Sequence, residues 1–65
     1  MQEYIITIRL QNGETVEISH TGDDNSGWDK LVAVADEGKL KYGQSAFYTL
    51  HRLEDSKFVL IDIIK

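Results

Sequence analysis

Cysteine and proline are both absent from this 65-residue sequence. Without cysteine, no disulfide and no thiolate metal cage can brace the chain, so any fold rests on its apolar core. The same absence fits a reducing compartment. No proline-rich linker, repeat or low-complexity tract divides the chain, and residues 1–65 read as a single domain. No apolar run approaches the roughly 20 residues needed to span a bilayer. The start, Met1-Gln2-Glu3-Tyr4, has neither the basic opening nor the apolar stretch of a signal peptide. A cytoplasmic protein with no membrane partner is expected.

A strongly basic region is also missing. The net charge is −4, and its placement is lopsided. Residues 1–29 carry six acids against Arg9 alone, whereas residues 30–65 carry five acids against six bases. Proteins that grip duplex nucleic acid show a basic footprint, and the first half of this chain shows the reverse. Glu3, Glu14, Glu17, Asp23 and Asp24 form a candidate acidic surface. Such a surface suits a basic protein partner, including a nucleic-acid-binding protein that it would inhibit or decoy.

What is present is periodic. Tyr4, Ile6, Ile8 and Leu10 alternate with other residues, as in a strand with one buried face. Val16 and Ile18 alternate in the same way beyond Gln11-Asn12-Gly13-Glu14. A two-residue Asn12-Gly13 loop would split the two apolar sets onto opposite faces. A loop of Gln11, Asn12 and Gly13 pairs Ile8 with Val16 and Ile6 with Ile18, and places Gly13 at the left-handed position of a bulged turn. That register is expected.

Trp28, Leu31, Val32 and Ala35 then recur at i, i+3, i+4 and i+7, the stripe of a helix lying on a core. Gly38 is the expected stop. A second hairpin follows, with Ala46–Leu53 and Phe58–Ile64 flanking Glu54-Asp55-Ser56-Lys57. Its pairing of Leu53 with Phe58, Leu50 with Ile61 and Tyr48 with Ile63 puts Val59, Ile61 and Ile63 on the inner face. The order ββαββ predicts an α+β fold with one helix on one face of a four-stranded sheet. The last strand is apolar on both faces, which favours a central place parallel to the first, giving a mixed sheet of order 2-1-4-3. This layout resembles the β-grasp arrangement of the small immunoglobulin-binding domains of streptococcal protein G. The resemblance lies in element order and length, and no binding residue carries over.

Three aspartates crowd into Thr21-Gly22-Asp23-Asp24-Asn25-Ser26-Gly27-Trp28-Asp29. A calcium loop opening at Asp23 needs an oxygen ligand, a glycine and a glutamate where Gly27, Trp28 and Val34 stand. Ser26-x-x-Asp29 instead has capping-box spacing, with Ser26 as the expected N-cap. His20 and His51 are too isolated for a zinc site, so no metal or cofactor is expected. His51 beside Asp62 is the nearest approach to an acid–base pair, but no nucleophile accompanies it, and the protein is expected to be non-catalytic.

One helix covers one face of a sheet. By parity Ile5, Phe47, Leu53, Phe58, Leu60 and Ile64 point away from it, among Thr7, His51 and Asp62. Exposed apolar patches of several hundred Å² mark interaction sites. The expected function is therefore a small protein-interaction module, binding a protein partner or forming a homodimer through this face. The alternative is single-stranded nucleic-acid binding, with Phe47 or Tyr48 stacking on bases beside Arg52.

Overall fold

The computed structural model describes residues 1–65. The first hairpin forms in the bulged register: β1 (Gln2–Arg9) and β2 (Thr15–Gly22) pair antiparallel with Ile8 opposite Val16 and Ile6 opposite Ile18. The Gly13 amide donates to the Leu10 carbonyl at 3.0 Å, with Gly13 at φ 90°. Asn12 Oδ1 accepts from the Glu14 amide at 2.9 Å and steadies the loop.

The helix α1 (Asp24–Tyr42) begins earlier and ends later than the hydrophobic stripe implies. Its N-cap is Asp23, not Ser26. Asp23 Oδ1 accepts from the Ser26 amide at 2.8 Å, and Ser26 Oγ accepts from the Asp23 amide at 3.0 Å. The capping box is present, but it runs from Asp23 to Ser26 rather than from Ser26 to Asp29. The stop is also displaced. Gly38 lies inside the helix, and Gly43 ends it at φ 79°.

The buried helix residues are Gly27, Leu31, Val34, Ala35 and Gly38. Leu31 and Ala35 were expected there; Trp28 instead stands half exposed. Gly38 is where the helix rides closest to the sheet. A Cβ there would lie 2.7 Å from a Tyr48 ring carbon, a distance no side chain tolerates. Gly27 accepts the Tyr4 ring in the same way, with a hypothetical Cβ at 3.3 Å. Two glycine notches therefore seat two tyrosines under one helix.

The second hairpin comprises β3 (Phe47–Glu54) and β4 (Lys57–Ile64). The sheet order is β2-β1-β3-β4, and every neighbouring pair is antiparallel. The expected mixed sheet of order 2-1-4-3 is corrected on both counts, and the β-grasp pairing of first and last strands does not occur. Strands β1 and β3 hold the centre, with Ile6 opposite Leu50 and Ile8 opposite Tyr48. These residues join Tyr4, Leu31, Val34, Ala35 and Ala46 in one core. The physical reason for the order is Asp62. In a central β4, with sheet on both sides, its carboxylate would lose its access to water, at a cost of several kcal/mol. At the edge it stays half exposed and takes two hydrogen bonds.

Candidate interaction surface

The helix start gathers much of the polar structure. Tyr4 Oη donates to Asp24 Oδ1, and Arg52 reaches across from β3 to the same carboxylate at 2.8 Å. The other arm of Arg52 binds Glu54 at 2.9 Å. The bonds from Tyr4 and Arg52 hold the Asp24 carboxyl below its ordinary range. Burial, with the bond to Asp24, pushes the Tyr4 phenol up to about 12. The Ser26 amide lowers the Asp23 carboxyl. Asp23 and Asp24 thus cap and fasten the helix. Of the candidate acidic residues, Glu3 and Glu17 lie on the outer sheet face, with Glu14 at the hairpin loop. The five acids do not form one surface.

Strand β4 is built differently from the other strands. Its pairing with β3 follows the expected register from Glu54–Lys57 to His51–Leu60, then shifts so that Leu50 faces Asp62 and Tyr48 faces Ile64. Ile61 is the extra residue of a β-bulge, and the bulge exchanges the two faces of the strand. Before it, Lys57 and Val59 share the helix side with Arg52; after it, Asp62 and Ile64 do. Phe58, Leu60 and Ile63 are left on the outer side. On the helix side, Asp62 is fixed by the Trp28 indole, which donates at 3.0 Å, and by the Ile63 amide at 2.8 Å.

This corrects part of the expected outer face. Ile64 does not belong to it: it lies on the Tyr48 side and packs against the core. Asp62 is also on the helix side, so it does not neighbour His51 across the outer face. Ile5, Phe47 and Leu53 do lie on that face, each half buried by its neighbours. Arg9 stacks its guanidinium 5.7 Å above the Phe47 ring. Phe58 and Leu60 are the expected residues that stand open, at 53% and 51% exposure.

Three open residues were not anticipated. Val59 is 41% exposed and Trp28 50% exposed on the helix side, and Ile63 is 43% exposed on the outer side. A hint of the bulge was present in the sequence. With strict alternation, Lys57 and Asp62 fall on opposite faces, so neither face of the strand is cleanly apolar. A bulge between them puts both charges on one side. The outward residues of β3 and β4 are then Phe47, Thr49, His51, Leu53, Phe58, Leu60 and Ile63, without an acid or a permanent cation among them.

Of the residues named for nucleic-acid stacking, Phe47 is half buried on the outer face beside Arg9, whereas the other two are occupied. Tyr48 is fully buried, so it offers no ring face to a base, and Arg52 is held by two carboxylates. His20 meets Ser26 Oγ at 3.0 Å beside the cap. No three histidine or carboxylate groups converge to hold a metal ion. A shallow groove between α1 and the first hairpin is lined by Ile8, Val16, Ile18, Val34 and Tyr42, with Glu37 and Lys41. Comparison with protein-family models, curated proteins and solved structures finds no match to this chain.

Proposed function

We propose that this chain is a non-catalytic protein-interaction module, and that its contact surface is strand β4 together with Trp28 and the adjoining outer sheet face. One observation carries the reading: Phe58, Val59, Leu60 and Ile63 are all open on a single edge strand, and Trp28 stands open beside it. An exposed apolar edge strand is a liability for an isolated protein, because its unpaired amides and carbonyls template pairing with another chain. At about 25 cal/mol per Å², covering roughly 200 Å² of this surface contributes about 5 kcal/mol. That is comparable with the whole stability of a small domain. Tryptophan is also enriched among residues that dominate binding energy.

The test compares two exposed leucines. Leu60 lies in the proposed surface, whereas Leu40 is 92% exposed on the far part of the helix. Binding of an apolar fluorescent dye, and the solubility limit, are measured for wild type, Leu60→Glu and Leu40→Glu. Leu60→Glu is expected to lose most dye binding and gain solubility, with Leu40→Glu close to wild type. Equal effects from the two substitutions would remove the reading.

A further inference from the structure

We infer that the occupant of the β4 edge is a second copy of this chain, added antiparallel so that two sheets continue as one. The inference rests on the interaction-module reading and specifies its partner. Strand β4 is open on both faces as well as along its edge. Phe58 and Leu60 are exposed on the outer side, Val59 and Trp28 on the helix side. A partner packed flat on the outer face covers only the first pair. A strand that brings its own helix covers both.

The charges on β4 are self-complementary. The apolar run Phe58-Val59-Leu60-Ile61 is bracketed by Lys57 and Asp62, which share the helix side. A two-fold axis at Val59 sets Phe58 against Leu60 of the partner subunit, and Lys57 against the partner's Ile61–Asp62 bulge. Opposite charges then meet twice per dimer. A parallel pairing would set like charge against like. The length of the contact is limited too. The bulge interrupts the ladder after Leu60, and Asp62 Oδ1 already takes the Ile63 amide at 2.8 Å. The backbone left for pairing is Lys57–Leu60. The opposite edge, β2, presents Thr15, Glu17, Ser19 and Thr21 on its outer side, all exposed and polar. The two-fold contact uses both β4 edges and closes at two subunits.

Sedimentation equilibrium of the full chain, from low micromolar to submillimolar concentration, decides the matter. The 7.4 kDa mass is expected to double with concentration. Lys57→Glu and Asp62→Lys each place like charges across the two-fold. Each is expected to raise the midpoint of association by about tenfold, as two repulsive contacts replace two attractive ones. An equimolar mixture of the two variants is expected to restore wild-type association, because their altered positions then meet with opposite sign. Far-UV circular dichroism checks folding; Lys57 is exposed and makes no side-chain bond, so its variant remains informative if Asp62→Lys fails to fold. A wild-type mass that stays at 7.4 kDa overturns the second copy. If Leu60 still governs dye binding in that monomer, the interaction surface survives with another occupant; if not, both readings fall. A dimer indifferent to both charge substitutions also overturns edge pairing.

Discussion

Tyr4, Asp24 and Arg52 meet where the helix begins, and their linkage bears on both ends of the pH range of the fold. The Asp24 and Asp23 carboxyls are lowered in the folded chain, so the unfolded chain binds more protons in acid. Their stabilisation is present above the ordinary carboxylate value, about 4, and is lost as pH falls below it. Asp24→Asn should flatten that acid limb in urea midpoints measured against pH. The Tyr4 phenol is raised from 10.0 to about 12, which works in the other direction. Its contribution is complete below pH 10 and is lost as pH rises towards about 12. Tyr4→Phe should remove that alkaline step, and an unchanged alkaline midpoint would refute the linkage. Tyr48 offers a contrasting case. Its hydroxyl is buried without a hydrogen-bond partner, and burial raises its pKa. Tyr48→Phe should stabilise by about 1 kcal/mol, since it removes an unsatisfied buried group while keeping the ring. A loss of stability would mean that the hydroxyl has a partner. At the tight turn of the second hairpin, Asp55 and Ser56 both take positive φ, 50° and 65°. Ser56→Gly should raise the melting midpoint by the equivalent of about 0.5–1 kcal/mol, because glycine adopts that conformation without side-chain strain.

At the scale of elements, the helix start is held by a reciprocal pair. Asp23→Ala and Ser26→Ala should each cost about 1 kcal/mol in chemical denaturation, and the double substitution less than the sum, because the two side chains cap one another's amides. What was legible in the sequence follows from where side-chain polarity reports backbone geometry. The first hairpin could be read because Ile6, Ile8, Val16 and Ile18 reach one face in only one register. The second could be read as far as His51 and Leu60, where the bulge intervenes. The helix phase was displaced because two of its buried positions are glycines. Gly27 and Gly38 add nothing to a hydrophobic stripe, and Gly38 reads as a stop, although its role is to admit the Tyr48 ring. Trp28 fills the apparent gap in the stripe and reads as core, although it stands 50% exposed. The strand order was missed for a related reason. An apolar strand resembles a central one, and only Asp62 within it argues for the edge. The interaction surface was therefore partly visible: Phe58 and Leu60 could be named by parity, but Val59, Ile63 and Trp28 depend on the bulge and the helix phase.

For the whole molecule, the sheet is unequally protected. Helix α1 and the β1–β3 centre enclose a small core, and β4 lies at the margin with open apolar groups on both sides. The chain has no cysteine for a disulfide to offset that exposure, so a partner on β4 would add directly to its stability. A thermal midpoint that rises with protein concentration is the expected consequence for self-association, and a flat dependence would oppose it. The most direct test of the β4 surface is the sedimentation mass of wild type, Leu60→Glu and Leu40→Glu at one submillimolar concentration. Wild type and Leu40→Glu are predicted to sediment well above 7.4 kDa, and Leu60→Glu at 7.4 kDa. A Leu60→Glu chain that associates as strongly as wild type would contradict it.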